Sequence, residues 1–258
     1  MFIILSFVFG ASIGSFVQVI ATRLHVAPVM KGRSKCLSCG EALRTFDLIP
    51  IFSYLFLKGK CRYCKSVFGV SALVIELSFG LLFVALYHFI LAGQATLMAS
   101  FLWLVYYTLL FGTFGVIALY DIAHSYIPVS FLFVYEFLTL IMLVIRYIHE
   151  PSWSILIGPV VIALPFLFIW LITRGKGLGF GDIFLFLGVG AFFDITQGIV
   201  VFLFSVWLGA LFGLYMKYFG KHKGKSGVAM PFVPYIVAAF LIVLFTDIDI
   251  FSIATLFA

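Results

Sequence analysis

Eight apolar runs, most of them about as long as a bilayer is thick, decide what this chain can become. A helix needs about 20 apolar residues to cross the hydrocarbon core. Runs that meet or approach this length lie at 2–20, 68–91, 97–120, 127–147, 152–173, 183–195, 198–216 and 229–246. Backbone polar groups find no water at that depth, so each run must satisfy its own hydrogen bonds as an α-helix. Composition agrees: 64% of residues are hydrophobic and 10% charged, against about 25% charged in soluble domains. The fold expected is all-α and polytopic, with about eight transmembrane helices. The sixth run is short and must be tucked inside the bundle or lie where the bilayer thins. The first run lacks a basic leader and a small-residue cleavage site, and is expected to be retained.

Cations orient these spans. Arg23, Lys31, Arg33, Lys35, Arg44, Lys58, Lys60, Arg62 and Lys65 fall between the first two runs. Arg174 and Lys176 precede the sixth, and Lys217, Lys221, Lys223 and Lys225 follow the seventh. Arg146 alone falls in a connection of opposite parity. The positive-inside rule then puts both termini outside and the basic loops in the cytoplasm. The net charge of +6 is thereby a topological signal suited to anionic lipid, and gives no reason to expect nucleic acid. With that parity, Asp121 and Asp182 share the cytoplasmic side.

All four cysteines occupy the first basic loop, as Cys36-x-x-Cys39 and Cys61-x-x-Cys64. Two such pairs match a structural four-cysteine zinc site, because each tight turn presents two thiolates to one ion. Gly40 follows one of these knuckles, and the surrounding cations favour thiolate over thiol. Disulfides are the competing reading, and a cytoplasmic loop argues against them. A closed shell of four thiolates has no open position, so the metal is expected to be structural. The division expected is a first transmembrane helix at 1–20, a small cytoplasmic zinc-binding loop domain at 21–67 and a seven-helix core at 68–258.

Acids within membrane segments are rare and point to function. Asp121 ends the third run in "ALYDIAHSYIP", and Asp182 stands at the head of the sixth behind "GLGFG". Glu76 lies in the second run and Glu136 near the middle of the fourth. Asp194, Asp247 and Asp249 sit at outer boundaries where solvation accounts for them, and Asp47 and Glu41 lie in the cysteine loop. Pro128 punctuates the chain after Asp121. Gly179 and Gly181 flank Phe180, allowing close backbone approach and positive φ. Two carboxyls brought together cannot both ionise easily, so they share a proton. Such a pair can hydrolyse a peptide: one takes a proton from water while the other donates to the carbonyl. A cap at Asp182 and an interfacial role for Asp121 are the plainer alternatives.

The residues resemble the type IV prepilin peptidases, membrane aspartic proteases of the GxGD type. "GFGD" at 179–182 is similar to that family's second-aspartate signature and "DIAHSYIP" at 121–128 to the segment holding its first. "GSFVQVIATRL" at 14–24, the two CxxC pairs, "VIEL" at 74–77 and "MPFVP" at 230–234 fall in the family's order. Phe184 departs from it, standing where the family usually has a lysine. The resemblance implies catalysis by Asp121 and Asp182, supported by Gly179, Gly181 and Glu76. It also implies cleavage of type IV prepilins or pseudopilins at the cytoplasmic membrane face, after a glycine ahead of an apolar helix. Members with the cysteine loop tend to methylate the new N-terminal residue with S-adenosylmethionine. Glu76 matches a family position; it suits a leader cation and a helix-packing hydrogen bond equally well.

Other signals carry less. "GKHKGKS" at 220–226 has one residue too few between its glycines for a phosphate loop. His25, His88, His124, His149 and His222 have no metal spacing with one another. Gly10-x-x-x-Gly14 and Gly209-x-x-x-Gly213 mark close helix packing, within the chain or in a homo-oligomer. The rival functions are an ion- or proton-coupled transporter using the intramembrane acids, and a zinc-stabilised scaffold without catalysis.

Overall fold

The computed structural model describes residues 2–26, 28, 32–36, 38–93, 96–175, 178–219 and 230–255. Lys31, Lys176, Gly177 and the 220–226 stretch, with its lysines and His222, lie outside the described residues. The chain forms two compact units, one up to Val116 and one from Ile117 onward.

Every long apolar run is a helix. These are α1 (Phe2–Arg23), α3 (Ser71–Gly93), α4 (Leu97–His124), α5 (Val129–His149), α6 (Trp153–Thr173), α7 (Phe180–Phe192), α8 (Ile195–Phe219) and α9 (Val233–Thr246). A short α2 (Phe52–Phe56) lies in the cysteine loop, and α10 (Ile250–Thr255) follows α9. Six of the helices are long and apolar enough to cross a membrane, and α7 and α9 are shorter apolar helices. The molecule is therefore an all-α, multi-pass membrane protein.

In the first unit, glycine lets α1 lie against α3. A Cβ on Gly10 would come 2.4 Å from the Phe79 carbonyl oxygen, and one on Gly14 would come 2.9 Å from the Phe79 Cβ. This glycine stripe is thus consumed by packing within the chain. Between the two helices, the cysteine loop builds two equivalent knuckles. The Cys36 amide donates to Glu41 O and the Gly40 amide to Cys36 O; the Cys61 amide donates to Ser66 O and the Lys65 amide to Cys61 O. Gly40 (φ 73°) and Lys65 (φ 61°) occupy the same left-handed position. A 3-10 turn at Thr45–Leu48 ties to the second knuckle through Asp47. Its Oδ1 accepts from Arg62 Nε at 2.7 Å, and its Oδ2 accepts from the Arg44 amide at 3.1 Å. Burial alone would raise the Asp47 pKa, but these two contacts win and hold it below the usual carboxylate value. Asp47 is thus a structural keystone of the loop, a role its position in the sequence did not reveal.

In the second unit, α7 is the buried centre. Nine of its residues, from Asp182 to Phe192, are buried, which is how so short a helix is accommodated. Glycine again permits it. A Cβ on Gly190 would meet Gly158 O and Pro159 Cα of α6, both at 2.6 Å. On the α5 side, the Tyr135 ring covers Gly188, and its hydroxyl donates to Leu185 O at 2.9 Å. Arg146 of α5 donates to the carbonyls of Ala191 and Phe193 and pairs with Asp194. The cation that broke the charge parity thus caps the C-terminal end of α7, where a positive group is favoured. Asp194, expected to be held by solvent alone, has a protein partner as well.

Candidate active site

The end of α4, the start of α5, the start of α7 and the approach to α9 surround one cavity of about 710 Å³. Asp121 and Asp182 both line it, and both are buried, each 6% exposed. The structure therefore brings together two acids that lie sixty-one positions apart.

Each carboxyl is held by a helix N-terminus. Asp182 is the third residue of α7, and its Oδ2 accepts from the Gly179 amide at 3.1 Å, one half of a capping box. Asp121 reaches a different helix: its Oδ2 accepts from the Val233 amide at 3.1 Å, the first residue of α9. That amide has no partner within its own helix, and Pro234 follows it with no amide to offer. The capping alternative for Asp182 is thus real geometry, but it does not remove the residue from the cavity. Asp121 is no mere interfacial residue, since it closes a long-range buried contact.

The glycines serve another purpose than expected. Gly179 has φ −70° and Gly181 lies inside α7, so neither adopts positive φ. A Cβ on Gly181 would come 2.9 Å from Ile127 Cδ1 and 3.1 Å from its Cβ. A Cβ on Gly179 would come 3.1 Å from the Asp182 Oδ2. Small size at these positions seats the 125–128 segment on α7 and lets Asp182 fold back on its cap. Arg174 (φ 50°) and Gly175 (φ 74°) supply the left-handed turn instead.

Two further acids differ from the pair. Glu76, in the first unit, accepts from the Ile51 amide at 2.7 Å. It thereby holds a β-branched residue at φ 65°, an outlying conformation that needs such support. Its partner is thus the backbone of the cysteine loop and not another membrane helix. Glu136, on α5, lines the same cavity as the two aspartates. The sequence singled it out only as an intramembrane acid; the turn spacing from Val129 was the signal that could have placed it there. His124 stacks on Tyr120 at 4.2 Å between ring centroids and lies exposed.

The four cysteine sulfurs lie within 4.8 Å of one another and could hold a metal ion. Cys36 and Cys61 are buried, Cys39 and Cys64 exposed. The Cys39 amide and the Ser66 hydroxyl lower the Cys36 thiol pKa to about 6, favouring the form that binds metal.

Residues 8–90 match the family model described as the Bacterial Peptidase A24 N-terminal domain, and residues 108–214 match that of the Type IV leader peptidase family. The chain is 33% identical to the prepilin leader peptidase/N-methyltransferase of Bacillus subtilis (strain 168), over 90% of this chain and 89% of that one. It is 27% identical to the protein of that name from Stutzerimonas stutzeri, covering 92% and 88% of the two chains. With the Vibrio cholerae protein of the same name it shares 25% identity over 95% and 97%. No solved structure matches the chain.

Proposed function

The chain belongs to the type IV leader peptidase family, and from that premise we propose that it is a membrane aspartic endopeptidase. It removes the leader from type IV prepilins or pseudopilins at the cytoplasmic face of the cytoplasmic membrane. The observation that carries this reading is the pair of buried acids on one cavity, each fixed by a helix N-terminal amide. Asp121 and Asp182 hold a water between them. One carboxylate takes a proton from that water as its oxygen attacks the scissile carbonyl carbon, while the other, protonated, donates to the carbonyl oxygen. Collapse of the tetrahedral intermediate breaks the C–N bond, and a proton passes to the departing amine. The anchoring amides keep both carboxyl planes in place throughout, so little reorganisation is needed. Gly179 and Gly181 support the pair by size, and Glu76 supports the loop. The ion-coupled transporter alternative has no observation in its favour.

The parity of the basic loops supports the sidedness, with both termini outside and anionic lipid at the loops. The amine that hydrolysis releases is the natural acceptor for N-methylation, with S-adenosylmethionine giving its methyl as co-substrate. Co-expression with a candidate prepilin tests both steps. The expected product lacks its leader and carries one methyl group at the new N-terminus, read by mass. Retention of the whole leader overturns the proteolytic reading; an unmethylated terminus in the presence of the donor overturns the second step alone.

Zinc is the ion that suits Cys36, Cys39, Cys61 and Cys64. Four thiolates about 2.3 Å from one tetrahedral ion stand about 3.8 Å apart, and Cys36 Sγ lies 3.8 Å from Cys64 Sγ. Such an ion stiffens the two knuckles without entering the hydrolysis. Metal analysis of protein purified without chelator is expected to give one zinc per chain. Metal-free protein with four titratable thiols overturns the assignment. We further propose that the knuckles and their zinc form a separate loop domain over 21–67, between the first helix and a seven-helix core.

A further inference from the structure

Resting on the proteolytic reading, we propose that Glu136 is a specificity-determining residue that accepts hydrogen bonds from the free N–H groups opening the substrate's apolar helix. Val129, Leu132, Phe133 and Glu136 all line the cavity, and their spacing of three, four and seven is that of one helix face. At 1.5 Å per residue, Glu136 sits about 10 Å along α5 from Val129, well inside the apolar run. Its Oε1 is buried and has no hydrogen-bond partner among the described residues.

A buried acceptor without a donor is costly and calls for an explanation. The described lining contains no lysine, arginine or histidine, and its side-chain donors, the Ser125 and Tyr126 hydroxyls, do not bond to that oxygen. Phe184, where the sequence departs from the family's lysine, is part of that same lining. That oxygen is left for a donor that an occupant brings.

A peptide cut just ahead of an apolar helix brings such donors. The first four N–H groups of any helix lack intrahelical partners, and those that enter the cavity leave bulk water and need acceptors there. Asp121 and Asp182 already accept backbone amides and are committed to the chemistry. Glu136 offers an oxygen that accepts whether or not the carboxyl is ionised, and a helix N-terminus favours a nearby acid. Entry is open as well: Phe133 and Phe180, both on the cavity, are 71% and 53% exposed.

The test is steady-state cleavage of a synthetic prepilin by the purified enzyme in detergent. Glu136→Leu is expected to raise KM roughly tenfold or more with kcat little changed, as for loss of binding that is equal in ground and transition states. Glu136→Gln keeps an acceptor and should recover most of that loss. A second peptide series replaces, one at a time, the first four amide groups after the cut by esters, which removes the donor. One of these esters should raise KM for the parent enzyme and leave the Leu variant unaffected. A Leu variant with the parent KM overturns the assignment, and so does an ester penalty of equal size in both enzymes. Should the Leu variant not fold, four ester peptides all cut with the parent peptide's KM overturn it too. A parent enzyme that cuts no peptide at all overturns the proteolytic reading itself.

Discussion

Asp121→Asn and Asp182→Asn are each expected to leave a folded protein that no longer removes a prepilin leader. Asparagine matches aspartate in shape and keeps a carbonyl oxygen, so the contacts from the Val233 and Gly179 amides survive. What is lost is the ability to take up and give back a proton. A positioned acid or base contributes about 10²- to 10⁴-fold, and loss of at least a hundredfold is expected from either change. The double variant should be little worse than either single one, because groups that act as a unit are not additive. Leader removal measured beside a thermal unfolding curve separates chemistry from fold. A variant within about tenfold of the parent removes that aspartate from the mechanism.

Gly190→Ala is expected to destabilise the second unit, although alanine is the better helix former. The added Cβ would stand 2.6 Å from Gly158 O and Pro159 Cα. Both are backbone atoms of α6, so relief requires one helix to move away from the other. Overpacking of this kind costs about 1–3 kcal/mol, and displacing α7 also displaces Asp182 from the cavity. Gly112→Ala is the matched control in α4: nothing lies within 4 Å of its Cβ. There the helix-propensity gain of up to about 1 kcal/mol stands alone. Unfolding midpoints in detergent should therefore fall for the first change and hold or rise for the second. A Gly190→Ala protein as stable as the parent contradicts the close packing of α6 on α7.

Helix positions were legible because lipid leaves the backbone so few choices. The runs at 2–20 and 152–173 reappear as α1 and α6 with ends moved by at most three residues. The Asp121–Asp182 cavity was legible through parity, which set both acids at one end of their helices. What escaped was everything decided by contact between distant segments. Asp47 reads as an ordinary loop acid until Arg62 folds back onto it. Gly181 reads as a source of backbone freedom, yet it serves Ile127, fifty-four positions earlier. Lys65 gives no hint in sequence that it repeats the conformation of Gly40, because lysine seldom adopts it. Glu136 was visible as an isolated acid, but only the helix face it shares with Val129 shows which space it addresses.

The bond from the Val233 amide to Asp121 makes two remote stretches of polypeptide into one working part. Whatever tilts or unwinds the first turn of α9 re-aims the acid as well, while the chain around Asp121 stays intact. On the proposed mechanism, defects that silence the enzyme need not cluster around its acids: across a hundred-and-twelve-position gap, the 230–234 segment is expected to have its own hold over turnover.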